Sequence, residues 1–347
     1  MPRALALPLA LLLLLGGGPG RSGPAHGQTR APEAFVTNEF GGDVAVIDTS
    51  TDRVVGRLRI GPPAMARPRG LAAGPDGRTV YVAVTDPTYG QTADRRWEFI
   101  AALDVAAQRI VARYVCGTDP ERLAVTPKGD RIYCSNEDES GATVLDEVTG
   151  KAVATIPTGI EPEGVAVTPD GRWVYVTAET SNTVTIIDAR TNRPVRTLPV
   201  GSRPRIVAVA PDGARAYVSA EAAGTLTVID VSRAAVTKVL ALGADSKPVG
   251  VAMSPDSRRV YIVGGRCNCL FAVDARTFAV TTVVERMGRR PWGVAVTPDG
   301  KKIYTSNGRS DDVTVIEASS LRVIRTIDGV GKGPHSVVIT RAGNGEK

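Results

Sequence analysis

Pro162-Glu163-Gly164-Val165-Ala166-Val167-Thr168-Pro169-Asp170-Gly171-Arg172-Trp173-Val174-Tyr175-Val176-Thr177-Ala178-Glu179 decides the fold. Pro162 to Thr168 reads as one strand and Val174 to Thr177 as the next, because both are rich in β-branched residues. Pro169-Asp170-Gly171 is the turn between them: Pro presets φ and Gly accepts φ > 0. Downstream, Val184-Thr185-Ile186-Ile187-Asp188 and Val195-Arg196-Thr197-Leu198-Pro199-Val200 continue as third and fourth strands. Their alternation suits sheets stacked face to face.

The same unit recurs along the chain. Its second strand reappears as Phe35-Val36-Thr37-Asn38-Glu39, Tyr81-Val82-Ala83-Val84-Thr85, Tyr133-Cys134-Ser135-Asn136-Glu137, Tyr175 to Glu179, Tyr217-Val218-Ser219-Ala220-Glu221, Tyr261-Ile262-Val263-Gly264-Gly265 and Tyr304-Thr305-Ser306-Asn307-Gly308. These starts lie 46, 52, 42, 42, 44 and 43 residues apart, the period of a four-stranded propeller blade. Third strands end on Asp48, Asp104, Asp146, Asp188, Asp230 and Asp274, with Glu317 in the last unit. Such carboxylates cap turns by accepting backbone N–H groups. The first unit starts at its second strand, near Ala34, and the chain closes with a lone first strand, Pro334 to Thr340. The expected fold is therefore all-β: a seven-bladed β-propeller of four-stranded antiparallel blades, its ring closed by the C-terminal strand pairing with the N-terminal strands. Closure leaves no long free sheet edge.

Composition agrees. Of 347 residues, 37 are Gly and 24 are Pro, while aromatics make up only 5%, a balance suited to short strands and tight turns. Residues 1–27 read as a signal peptide: Arg3 leads an apolar run, Ala4 to Leu15, too short to span a bilayer. Ala25 and Gly27 place cleavage after Gly27, with a short linker at 28–33, the propeller at 34–340 and a tail at 341–347. Removing residues 1–27 takes Arg3 and Arg21 and lowers the net charge from +6 to +4. No later stretch is apolar enough for a membrane span, and the location implied is periplasmic or secreted.

The Tyr-Val-Thr-Asn-like segments, the Pro-Asp-Gly turns and the Val-x-Val-Ile-Asp strands resemble the YVTN-repeat propellers over residues 34–340. Within that group the chain is similar to the β-propeller proteins associated with PQQ-dependent catabolism. The segments carrying that likeness include Pro68-Arg69-Gly70, Gly117-Thr118-Asp119-Pro120-Glu121, Glu161-Pro162-Glu163-Gly164, Arg203-Pro204-Arg205 and Thr305-Ser306-Asn307-Gly308. The resemblance implies export and a link to quinoprotein oxidation systems, and it supplies no catalytic residues. The chain departs from the pattern at an insertion after Thr85, containing Tyr89, Arg95, Arg96 and Trp97, and at Cys267 and Cys269.

The loop before each first strand sits at a channel mouth, so its Pro indexes a ring. The residues after it are Arg69, Glu121, Glu163, Arg205, Val249, Trp292 and His335; those before it include Arg67, Asp119, Arg203 and Arg290. Packing alone would need only small or aliphatic groups here. Two readings stand: internal Arg–carboxylate pairing, or recognition of a polar or anionic ligand by Arg67, Arg69, Arg203 and Arg205, with Trp292 as a stacking wall. Glu121, Glu163 and His335 complete the candidate set. A second carboxylate set, Glu39, Glu137, Glu179 and Glu221, ends the second strands and falls on the same face. It lacks the close acidic spacing of a calcium loop, and neither metal nor cofactor is expected.

Histidine limits the chemistry. Past residue 27 only His335 remains, which excludes a multi-His zinc or copper site and bis-His haem ligation. No C-x-x-C-H motif attaches a haem. Cys267-Asn268-Cys269 is too close for an ordinary structural bridge, so thiols are the first reading for Cys116, Cys134, Cys267 and Cys269, with their pairing left open. The chain reads first as a monomeric, non-catalytic binding or scaffolding propeller. Its partner would be a quinoprotein dehydrogenase, a cytochrome or a small polar ligand. The alternatives are a lactonase-like hydrolase, with Glu163 and His335 as the residues to test, and a nucleic-acid or envelope-polymer binder, which the mild, dispersed charge disfavours.

Overall fold

The structure, a computed structural model, describes residues 31–88, 94–285 and 287–341. The signal-peptide reading of residues 1–27, the first half of the 28–33 linker, Tyr89 and the tail beyond Arg341 lie outside these residues. Seven four-stranded antiparallel sheets make up the chain. The first strands are Arg67–Ala73, Pro120–Val125, Pro162–Val167, Pro204–Val209, Pro248–Met253 and Pro291–Val296 for blades two to seven. In blade one Pro334–Ile339 takes this place and pairs antiparallel with Glu33–Asn38, matching Ala34 with Ile339 and Val36 with Val337. Ring closure is thus as the sequence predicts. No helix among the described residues is long and apolar enough to cross a membrane.

The core is divided among the blade interfaces. Tyr133, Val144 and Ile156 of blade three, for example, pack against Val174, Val176 and Ile187 of blade four. Second and third strands are therefore buried nearly throughout, whereas fourth strands such as Arg53–Arg59 mix exposed and half-buried positions. The Asp ends act as expected. Asp188 accepts the Arg190 and Thr191 amides at 2.9 Å each, and these amides outweigh a small desolvation cost to hold its pKa low.

Two side chains of the repeated second strand tie several blades to the next. Tyr133 donates its hydroxyl to Asn192 Oδ1 at 2.8 Å, and Tyr304 reaches Asp52 in the same manner. Two residues on, a hydroxyl works at the opposite end. Thr177 Oγ1 accepts the Gly164 amide at 2.7 Å and donates to the Arg205 carbonyl of the next blade at 2.8 Å. Ser135, Ser219, Ser306 and Thr37 repeat this bridge to the carbonyls of Glu163, Val249, His335 and Arg69. The cause is a register irregularity in the first strands, between Pro162 and Val165 for instance, which leaves the intervening amide without a ladder partner. Blades two and six carry Ala83 and Val263 at this position and lack the hydroxyl.

One sequence expectation fails. Cys267 and Cys269 are joined in a disulfide across a single residue, with Cα atoms 5.2 Å apart. Asn268 between them takes a left-handed backbone, φ 54°, which turns both Cβ atoms to the same side. Cys116 and Cys134 remain thiols. The insertion in blade two packs on the scaffold: Trp97 lies against Gly61, where any Cβ would come within 2.5 Å of its ring. Arg95 is paired with Glu98, and Arg96 with Asp94.

Candidate functional site

The seven inner strands bring the predicted ring together at one mouth. Six of the seven residues before the ring prolines have left-handed backbones: Asp119, Glu161, Arg203, Lys247, Arg290 and Gly333, with φ between 49° and 65°. For a non-glycine residue this conformation costs on the order of 1 kcal/mol or more, and such strain collects at functional sites. Turn residues of the preceding blade hold it. Asn182 Oδ1 accepts the Arg203 amide at 2.9 Å, and Asn268 Oδ1 accepts the Arg290 amide at 2.8 Å.

Both carboxylate sets meet the arginines. Arg67 and Arg69 share Glu39, and Arg69 also grips the Glu121 carboxylate at 2.6 Å. Across the ring Arg205 contacts three acids: Glu163, Glu179 at 2.5 Å and Glu221 at 2.8 Å. Arg203 adds Glu179 at 2.7 Å, and Arg290 adds Glu221 at 2.8 Å. Most of these groups are nearly buried. Leaving one unpaired there would cost several kcal/mol, so the pairing offsets a penalty that burial would otherwise impose.

Pairing does not satisfy the carboxylates equally. Burial alone would raise Glu163, but Arg205 and Arg69 more than offset it and keep this acid ionised. Glu179, beside Glu163 and less well compensated, is pushed by desolvation to about 7. The two neighbouring carboxylates are thus driven apart in affinity for a proton by their surroundings. Glu121 is raised by burial to about 7. Glu137, which Arg69 compensates only weakly, is raised to about 9 by burial and then by Glu121 and Glu163. Carboxylate oxygens of Asp119, Glu121 and Glu137 lie within 4.8 Å of one another, close enough to converge on a cation. Two of them are already engaged, however, Asp119 by Thr85 and Glu121 by Arg69.

Other ring members take structural places. His335 is 3% exposed. Burial, then Arg69 and Arg122, hold its imidazole neutral. Its ring packs against Trp292 at 5.3 Å between centroids. Trp292 is itself covered by Arg290 at 4.1 Å rather than left as an open wall. Val249 is buried. Sequence reasoning missed Arg122, which reaches from blade three to Ser336 Oγ of blade one at 2.5 Å. Burial lowers its pKa to about 10. A signal existed: Arg122 stands where other blades place Gly70, Gly164, Gly250 and Gly293, and at Gly164 a Cβ would meet the Arg205 carbonyl at 2.5 Å. A cleft of about 550 Å³ on the opposite face is lined by Asp256 and Asp299, but both cap turns there.

The family model of the YNCE-like β-propellers matches residues 72–253, about half of the chain. The chain belongs to the YNCE-like β-propeller family. A second model, of seven-bladed β-propeller lactonases, matches residues 187–324 of this YNCE-like propeller. No curated protein matches it. Among solved structures it is similar to Kuenenia stuttgartiensis hydrazine synthase, with 22% identity over 86% of this chain and 99% of that one, TM-score 0.71. It is also similar to a Pseudomonas aeruginosa periplasmic gluconolactonase, with 17% identity over 90% and 100%, TM-score 0.72. A putative 6-phosphogluconolactonase from Bacteroides uniformis shares 16% identity over 89% and 99%, TM-score 0.73. At these identities the likenesses show the fold.

Proposed function

We propose that the mouth hydrolyses a small cyclic ester of the lactone class. The observation that carries this reading is Glu179, held within reach of both Arg203 and Arg205 and raised by desolvation to about 7. Ionised Glu179 would take a proton from water. The hydroxide would attack the lactone carbonyl, and the half-exposed Arg203 guanidinium would stabilise the oxyanion. The acyl–oxygen bond then breaks and the proton passes to the ring oxygen, giving an open hydroxy acid. The partial match to the lactonase model and the likeness to two proteins titled as lactonases support it. The test is a stopped assay on gluconolactone from pH 5 to 9. Because the base must be ionised, turnover should rise with pH through about 7, and Glu179→Gln should lower it by about 100-fold or more. A flat profile, or full activity in Glu179→Gln, removes the hydrolase reading.

The closed ion-pair ring favours a second reading, an exported accessory binding protein of a PQQ-dependent oxidation system in the periplasm. Nearly every ring arginine is already committed to a carboxylate, as in a rigid scaffold. Co-purification with a quinoprotein dehydrogenase or its cytochrome would support it; no association with either, and none with PQQ, would end it.

A further inference from the structure

The mouth is not electrically even around its ring. The last residue of the repeated second-strand segment is Glu39, Glu137, Glu179 and Glu221 in blades one, three, four and five, but Gly265 and Gly308 in blades six and seven. These glycines make room: a Cβ on Gly265 would lie 2.8 Å from Arg290 Nη1, and one on Gly308 would lie 2.8 Å from the Trp292 ring. On this side, where the carboxylates are missing, a pocket of about 440 Å³ opens. It is lined by Lys247, Arg266, Arg289, Arg290 and Arg309 against the single acid Glu221.

Local hydrogen bonding holds these cations together. The Arg309 amide bonds the Arg289 carbonyl at 3.0 Å, and Arg289 Nη2 returns to the Arg309 carbonyl at 2.9 Å. Ser310 Oγ accepts the Arg289 amide at 2.8 Å. Deeper in, Arg290 is fixed by Glu221 and by the Trp292 ring. The contrast with the rest of the mouth is sharp. Arg67, Arg69, Arg203 and Arg205 all reach carboxylates, whereas among the described residues no acid lies within ion-pair distance of Lys247, Arg289 or Arg309; Asp311 attracts Arg289 only from further off, and Arg266 has only the exposed Asp245 at 3.7 Å. Like charges held side by side with little counter-charge repel, and an arriving anion relieves that repulsion. Several guanidinium forks converging on one cavity match the oxygens of a doubly charged group better than those of a single carboxylate.

We propose that this pocket on blades six and seven binds a phosphate monoester, its dianion held by Arg289, Arg309 and Lys247 with Arg290 behind them. The inference stands apart from lactone hydrolysis, since it requires binding and no turnover. Isothermal titration at low ionic strength with inorganic phosphate, glucose 6-phosphate and acetate tests it on the full chain. Both phosphates should bind and acetate should not. Arg289→Ala combined with Arg309→Ala should weaken phosphate binding by at least about tenfold, and Arg309→Glu should do the same, with unchanged melting temperatures. Arg322→Ala, on an exposed outer strand, should leave it intact. A flotation arm with vesicles containing phosphatidic acid separates the sources. Capture of vesicles, lost in the same variants, assigns the phosphate to a lipid headgroup; binding of glucose 6-phosphate without capture assigns it to a soluble ester. The proposal is overturned if none of these phosphate probes binds, or if binding is indifferent to Arg289 and Arg309.

Discussion

At the scale of single residues, the third position of the repeated segment carries more than its size suggests. Thr177 satisfies two backbone groups at once, the Gly164 amide of its own blade and the Arg205 carbonyl of the next. Both are buried, and each lies within a register break of its own first strand. Thr177→Val keeps the shape and removes both bonds. We expect a loss of about 1–3 kcal/mol in urea unfolding, the range for buried groups left unsatisfied. An unchanged midpoint would mean that the blades hold register without it. The recurring hydroxyl was visible in the sequence at Thr37, Ser135, Thr177, Ser219 and Ser306. Its purpose was not, because only the folded register shows which amide lies orphaned. The mouth was legible to a similar depth. The ring positions and the pairing of Arg with Glu followed from equivalence of the units, whereas the partners within the ring, and the crossing by Arg122, depend on side-chain reach.

Individual blades differ in how firmly their tyrosines are anchored. The turn between third and fourth strands offers Tyr133 an acceptor in Asn192 and Tyr304 one in Asp52. The equivalent turn facing Tyr175 ends on Ala234, and the Tyr175 hydroxyl is buried without a partner. Ala234 has φ 48°, a conformation Asn tolerates better than Ala. Ala234→Asn should therefore supply the missing acceptor and relieve the backbone together. The expected gain is about 0.5–1.5 kcal/mol, seen as a raised urea midpoint at constant slope. A loss would show that the blade-four to blade-five interface cannot admit the larger side chain. Blade number, strand order and turn caps were readable because period-two strands and Pro-Asp-Gly turns are local signals. The Cys267–Cys269 bridge was not, because it depends on the left-handed Asn268 that folds two close cysteines onto one side.

For the whole molecule, the decisive element is the strand furthest along the chain. Among the described residues Pro334–Ile339 is the only innermost strand of blade one, and no other described segment takes its place. It gives the His335 carbonyl to Ser306 of blade seven, the Ser336 hydroxyl to Arg122 of blade three and the Thr340 amide to Glu33. Removing residues 334–347 would break all of these. It would also bare the edge of Glu33–Asn38, where Phe35 and Val36 are now fully buried. An apolar open edge is a template for pairing with other chains. We therefore expect the truncated protein to lose its cooperative thermal transition and to elute as oligomers on size exclusion. A circular permutant distinguishes lost closure from simple damage to the chain. Its old ends, adjacent at Glu33 and Thr340, would be joined by a linker and new ends opened in the blade-two insertion, so that blade one becomes continuous. That permutant should melt cooperatively, near the parent temperature. A truncated chain that still melts as one unit would show that six blades and a partial seventh are stable, and that ring closure is not what holds this propeller together.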